Sequence, residues 1–381
     1  LGRWAGFTIG WLYWWFGVLV IPLEANAAAT ILNSWFPQVA IWQFTLAITL
    51  LLTVSNLFSV KHYGEFEFWL ALVKVAAIVI FLVLGCVAIF GLMPDSQVSG
   101  MSHLYDSGGF MPHGFGAVLA AILTTMFSFM GTEIVTIAAA ESKNPGSEIS
   151  KATNSVIWRI SLFYLLSILF IVSLVPWNTP SLASKGSYQT VLEMMNIPHA
   201  KLIVDIVVLT AVCSCLNSAL YTSSRMLYSL ATRQDAPAAA AKTSAAGTPW
   251  VAVLFSTAAA FLAVFANYVA PAEVFNFLLA SSGAIARLVY LVIACSQLVM
   301  RKRMESRGEL PSYKMWLFPG LTWCVIVVIV GILCSMLFMP AHRIEIIATG
   351  ILALLVVLAG MALNYRQRSS QRLPDGQRSG I

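Results

Sequence analysis

Charge is what this chain has least of. Lys, Arg, Asp and Glu together make up 10% of its residues, against roughly 25% in an ordinary soluble chain. A soluble surface cannot be built from so few charges, so a water-soluble globular protein is excluded. Catalytic signatures are missing as well. There is no Gly-rich phosphate loop, no His-Glu-x-x-His pair and no Gly-x-Ser-x-Gly elbow. No polar stretch is long enough to hold a nucleotide-binding domain, so neither an enzyme nor an ATP-driven pump is expected, and no cofactor is expected either. The six cysteines, Cys86, Cys213, Cys215, Cys295, Cys324 and Cys334, all lie in apolar runs. Cys213-Ser214-Cys215 resembles half a metal site. No second Cys or His pair follows at a ligand spacing, and residues two apart on a helix point in different directions. These cysteines read as small packing residues, and no metal is expected.

What the chain has is hydrophobic length: 59% hydrophobic residues and a mean hydropathy of +0.83. Cutting at the polar and Gly/Pro-rich stretches leaves apolar runs at about 5–32, 39–58, 66–91, 114–138, 153–175, 200–224, 250–268, 273–299, 316–339 and 343–364. Each is near the ~20 residues a helix needs to cross a bilayer. The expected fold is therefore all-α, a polytopic membrane helical bundle with ten spans, of which the third, sixth and eighth are least sharp because they carry charges.

Basic residues set the expected orientation. Of 22 Lys and Arg, Lys74 and Arg287 lie within runs, Lys185, Lys201 and Arg343 fall on one side, and the other 17 fall on the side of Leu1. Positive-inside asymmetry puts both ends in the cytoplasm. Topology thus explains the net charge of +6, and nothing is left that calls for a nucleic-acid partner. The chain opens on Leu1 with no charged n-region or cleavage site, so the first run reads as a span rather than a signal peptide, with sequence expected upstream. Residues 365–381, rich in Arg, Gln, Ser and Gly, read as a disordered cytoplasmic tail.

Ionisable residues inside apolar runs are costly and are functional candidates by default. Glu24 follows Val18-Leu19-Val20-Ile21-Pro22-Leu23 at mid-span. A kink at Pro22 beside a carboxylate suggests a cavity, and a Glu satisfied by a packing partner is the alternative. Lys74 lies two turns into the third run. It either snorkels to the interface or points inward, where burial would let it exchange a proton near neutrality. Asp205 and Arg225 sit near the ends of the sixth run and read as interfacial. Arg287 lies midway along the eighth run, too deep for easy snorkelling, and must find a carboxylate or a carbonyl. Trp11-Leu12-Tyr13-Trp14-Trp15-Phe16 reads as interfacial belt and packing. Asn217-Ser218 and Ser281-Ser282-Gly283 offer hydrogen-bonding groups at depth, as helix-packing glue or as site lining.

The fourth run is the most informative. Phe127-Ser128-Phe129-Met130-Gly131-Thr132-Glu133 breaks a membrane segment with a glycine and places a carboxylate two residues later. Non-helical backbone at membrane depth survives only where protein or a water-filled cavity satisfies it, and secondary transporters bind substrate at such broken helices.

These residues, followed by Glu141-Ser142-Lys143-Asn144-Pro145, resemble the sixth span and next loop of the amino acid/polyamine/organocation permeases. Tyr63-Gly64-Glu65-Phe66-Glu67-Phe68-Trp69 with Lys74 resembles the start of their fifth span. Ser224-Arg225-Met226-Leu227-Tyr228 with Asp235-Ala236-Pro237 is similar to the end of their eighth. The likeness covers residues 1 to about 364. Gly10 to Trp15, Ile21 to Asn26 and Cys215 to Tyr221 are most similar to the bacterial members that carry 4-aminobutyrate.

The resemblance implies an inverted-repeat, LeuT-like transporter fold with ten of twelve spans present, Leu1 entering the third. It implies proton-coupled amino acid symport across the bacterial inner membrane, with 4-aminobutyrate as the expected substrate. An aromatic or cationic amino acid, or a non-transporting membrane fragment, are the alternatives. By the same resemblance, Phe127, Ser128, Phe129, Met130 and Gly131 form an unwound substrate-binding segment with Phe127 as an aromatic lid. Glu133 links binding to gating, Lys74 is the proton-coupling group, and Glu24 meets the substrate's distal amine. Two departures stand out: Gln234 where the family carries Gly before Asp-Ala-Pro, and Arg287 as an unusual cation in the tenth span.

Overall fold

A computed structural model describes residues 1–58, 60–140, 144–269, 271–309, 315 and 317–372. Every regular element among the described residues is helical, as expected of apolar runs whose backbone must satisfy itself without water. In chain order they are α1 (Arg3–Trp35), α2 (Ile41–Leu57), α3 (Val60–Ile89), α4 (His103–Asp106), α5 (Gly114–Ser128), α6 (Ile134–Ala140), α7 (Pro145–Leu174), α8 (Pro180–Lys185), α9 (Ser187–Met194), α10 (Ala200–Thr232), α11 (Trp250–Val269), α12 (Pro271–Ser306), α13 (Gly320–Phe338) and α14 (Pro340–Arg372).

Among the described residues, seven helices are long and apolar enough to cross a membrane: α1, α3, α7, α10, α12, α13 and α14. Helix α2 and the Trp250–Leu262 part of α11 are shorter apolar segments. The fourth run is split between α5 and α6. Several helices outrun their apolar cores, because helical hydrogen bonding continues into polar sequence once a helix has been nucleated. Thus α3 starts at Val60, α10 continues to Thr232 and α12 to Ser306. For the same reason the first part of the segment expected as a tail, residues 365–381, is helical. The backbone of α14 stays helical to Arg372 through a stretch of Arg and Gln, both good helix formers, and residues 373–381 lie outside the described residues. The bend expected at Pro22 leaves α1 unbroken: one 33-residue helix, about 50 Å long, runs through it.

The chain forms two compact units, one of residues 1–29, 39–60 and 216–381 and one of residues 30–38 and 61–215. In the first, Val20, Ile21 and Ala25 of α1 pack with Leu52 of α2, Leu216 and Leu220 of α10, and Val253 and Ala260 of α11. Small residues let these helices approach closely, as expected where apolar burial gives no preference for protein over lipid. A side chain at Gly10 would meet Leu230 at 2.6 Å, and one at Gly17 would collide with Ser223. The aromatic run is mostly turned inward rather than held as a belt. Trp14 is buried and its indole donates to Ser256 Oγ at 3.0 Å, while Trp11 donates to the Asp235 carbonyl at 3.1 Å. That loop is also held by Arg3, whose Nη2 lies 3.1 Å from Asp235 Oδ1.

Polar glue at depth takes specific form in this unit. Asn56 of α2 donates to Asn217 Oδ1 of α10 at 2.7 Å, both side chains being buried. Arg287 of α12 finds the carboxylate it requires. Its Nη1 lies 3.5 Å from Glu345 Oε1 of α14, with side chains only 9% and 7% exposed, and also 3.4 Å from the Met336 sulfur of α13. The side chains of Ser281 and Ser282 lie outside the described residues.

In the second unit, Phe81 and Ala88 of α3 pack with Leu174 and Val175 at the end of α7, Val191 and Leu192 of α9 and Ala200 of α10. The short helices α8 and α9 were not expected from the sequence. Thr190, Val191 and Leu192 of α9 are buried, and that burial stabilises a helix too short to stand alone, whereas α8 buries none of its residues.

Two outcomes test these packings by thermal melting in detergent. Arg287→Met leaves Glu345 buried without its cation and lowers stability by about 3–5 kcal/mol, whereas Arg287→Met combined with Glu345→Leu recovers most of the loss. Equal melting of the single and double variants would contradict the ion pair. Gln234 holds a left-handed φ of 62°, so Gln234→Gly relieves strain and raises stability by up to ~1 kcal/mol; a lower melting point would contradict that.

Candidate functional site

The helix break is built by the residues that marked it in sequence. Helix α5 ends at Ser128 and α6 starts at Ile134, leaving Phe129 to Glu133 in turns. Gly131 takes φ +93°, a conformation that side-chain-bearing residues rarely adopt. The Glu133 carboxylate then folds back, and its Oε2 accepts the Gly131 N–H at 3.1 Å. On the other side of the break, the Glu133 carbonyl accepts the Thr136 N–H at 2.9 Å and the Thr136 hydroxyl at 2.6 Å. Carboxylate and glycine are thus one device. The glycine frees a backbone donor, and the carboxylate satisfies it where water is scarce.

Beside the break a groove of about 450 Å³ is lined by Phe129, Thr132, Glu133 and Thr136, and by Thr153, Ile157, Ile160 and Ser161 of α7. Phe129 meets Tyr164 edge-on at 5.3 Å between ring centroids. A carboxylate, several hydroxyls and aromatic faces form a chemistry that attracts an ammonium group. Of the residues expected to form the unwound segment, Phe129, Met130 and Gly131 are in the break. Phe127 and Ser128 close α5, and their side chains lie outside the described residues, as do residues 141–143.

Lys74 is held across to α10 rather than extended along α3. Its Nζ donates to Ser214 Oγ at 2.5 Å and lies 3.7 Å from Glu67 Oε1. Ser214 in turn donates to the same Glu67 oxygen. Neither Glu67 nor Ser214 was among the expected site residues, though the first carried a readable signal. Seven residues separate Glu67 from Lys74, two helical turns, which puts both on one face of α3. Ser214 gave no such signal, lying between two cysteines in a pattern read as packing.

Glu24 belongs to the other unit. It sits in α1 two residues after Pro22, partly exposed, with Leu23 and Ala25 on either side buried. Asp205 accepts from Lys201 at 2.8 Å and from the Trp35 indole at 3.1 Å. The Arg225 guanidinium stacks over the Tyr221 ring, 3.9 Å from its centroid.

The break makes a graded prediction. Glu133→Ala leaves the Gly131 N–H without its acceptor and costs about 1–3 kcal/mol in thermal stability. Glu133→Gln keeps an oxygen at that position and costs clearly less. If both substitutions melt alike, the carboxylate does not close the break.

Sequence comparisons bear on what this arrangement serves. Residues 1–373 match the family described as amino acid permease. A probable GABA permease of Pseudomonas aeruginosa is 63% identical over 369 residues, covering 97% of this chain and 78% of the relative. The gamma-aminobutyric acid permease of Escherichia coli is 65% identical over 357 residues, 94% of this chain and 77% of the relative. That of Bacillus subtilis is 49% identical over 372 residues, covering 97% and 79%. With apolar helices of spanning length, a broken helix at depth and a match along nearly its whole length, the chain is a multi-pass membrane protein of the amino acid permease family.

Proposed function

We propose that this permease takes up 4-aminobutyrate by symport with protons across the bacterial inner membrane. The observation that carries the substrate is the 63–65% identity to permeases named for gamma-aminobutyrate, over more than nine-tenths of the chain. In this reading all ten apolar runs cross the membrane in a LeuT-like inverted-repeat arrangement, and the excess of basic residues on the side of Leu1 supports cytoplasmic ends. Unwound backbone from Phe129 to Gly131 offers carbonyls to the substrate, with Phe127 and Ser128 at the end of α5 leading into it. Glu133 couples binding to gating, because any movement of the break changes what its carboxylate can accept. Glu24 supplies a negative charge for the distal amine. Lys74 is the proton-coupling group, held against Ser214 and close to Glu67.

Membrane vesicles from cells expressing the complete gene test this reading. Labelled 4-aminobutyrate accumulates when the vesicle interior is made alkaline, and collapse of the gradient abolishes accumulation. Lys74→Met removes the stimulation. Uptake that requires sodium and ignores the proton gradient would overturn the coupling. Glu24→Gln raises the half-saturating concentration by about tenfold, the equivalent of ~1.4 kcal/mol. An unchanged value would remove Glu24 from the site, and competition by aromatic or cationic amino acids but not by 4-aminobutyrate would reject the substrate.

A further inference from the structure

The hydrogen bonds at Lys74 run in one direction. Its ammonium donates to Ser214 Oγ at 2.5 Å, and the Ser214 hydroxyl donates to Glu67 Oε1. Glu67 Oε1 itself stays 3.7 Å from Nζ, too far for a direct bond. The hydroxyl therefore stands between an acid and a base as a bridge, and it is almost fully buried, with Ser214 only 1% exposed. At its ends, the Lys74 and Glu67 side chains keep 29% and 24% of their surface. Glu67 lies two turns closer than Lys74 to the start of α3, so the bridge leads from the body of the helix toward its N-terminal end.

We propose that Glu67 is the proton partner of Lys74, and that Ser214 relays the proton between them. The Lys74 ammonium gives a proton to Ser214 Oγ as the hydroxyl's own proton moves to the Glu67 carboxylate. One N–H bond breaks and one O–H bond forms at Glu67. The serine ends as a hydroxyl with its hydrogen on the other side, leaving a neutral amine and a neutral carboxylic acid. The transfer turns an ion pair into a neutral amine and a neutral acid, so the net charge of the pair is unchanged by this step. Glu67, the end nearer the start of α3, then exchanges the proton with water.

Several other charged groups of this unit's helices have their own engagements, and Glu65 lies two residues before Glu67 on α3. Glu133 on the break accepts from Gly131, Glu148 pairs with Lys151 on α7, Asp205 pairs with Lys201 on α10, and Glu193 pairs with Lys185. Arg159 and Tyr164 are the remaining ionisable groups of α7, and Cys213 and Cys215 flank Ser214 on α10.

The relay rests on the proton-symport reading, and one set of measurements separates the two. Purified protein from the complete gene is placed in liposomes, and two rates are read for labelled 4-aminobutyrate: uphill accumulation driven by an imposed proton gradient, and one-for-one exchange at equal pH. In Glu67→Gln and Ser214→Ala, accumulation falls at least tenfold while exchange stays within about twofold of the parent, and Ser214→Thr, which keeps a hydroxyl, restores accumulation. Parent protein that accumulates without regard to the gradient refutes the symport reading and the relay with it. A gradient-driven parent whose variants accumulate normally refutes the relay alone. Loss of exchange along with accumulation in both variants, or no rescue by Thr, assigns the three residues a structural role and equally overturns the proposal.

Discussion

In a bilayer a polar group that the chain does not satisfy is not satisfied at all. Each unpartnered backbone or side-chain dipole costs on the order of several kcal/mol there, more than any single packing contact returns. That constraint explains most of the polar geometry of this permease. The hydroxyls of Thr45, Thr49 and Thr53, all buried on α2, turn back to the carbonyls four residues earlier at 2.9, 2.8 and 2.6 Å. The Asn56 amide donates to Asn217 between helices. Glu133 closes the donor that Gly131 opens. The same physics that makes polar groups rare in these helices favours such matched sets among those present.

The sets differ in what they leave free to change. The threonine bonds stay within one helix and hold it in its own geometry. Asn56 with Asn217, and Arg287 with Glu345, join helices that also pack by shape, so their loss would open a defect in an assembled unit. The break at Phe129 to Glu133 differs in kind, because its closing group is a side chain on a turn beside a groove, and a ligand that offers another donor to that carboxylate competes with Gly131. A carboxylate that satisfies backbone in one state and substrate in another is a switch by its chemistry. That chemistry is what supports the proposed link between Glu133 and gating.

Much of this was legible in the sequence. Hydrophobic runs found the helices because a span needs a minimum apolar length, and Gly131 beside Glu133 marked the break because each is costly alone. Helix ends were less legible. Apolar length says where lipid ends, not where hydrogen bonding ends, and so α3, α10, α12 and α14 run past their hydrophobic segments. Partners across helices were largely invisible. Arg287 announced that it needed a carboxylate, but nothing local pointed to Glu345, 58 positions later and near the start of its own helix. Asn56 and Ser214 are common polar residues in apolar helices, and only the placement of their neighbours distinguishes glue from relay. Glu67 is the instructive miss, because its two-turn spacing from Lys74 was readable while the motif around it drew attention to the start of the span.

Two cation–carboxylate pairs of the described residues, Lys74 with Glu67 on α3 and Arg287 of α12 with Glu345 of α14, differ in their chemistry. Arginine keeps its charge under any protein condition, and its guanidinium is rigid and rich in donors. Arg287 is 9% exposed against a carboxylate that is 7% exposed, so no proton that it carries can be released and no water stands ready to take one. That pair can only be kept or broken, which suits a strut between α12 and α14. Lysine is a compact amine on a flexible stem whose charge yields to its surroundings. Lys74 is three times as exposed as Arg287, and its contact with Glu67 passes through a hydroxyl able to donate and accept at once. In the proposed relay a proton can therefore pass between the two groups with no change in the net charge of the pair. Of the two sites, the one on α3 has the chemistry that the proposed proton symport calls for.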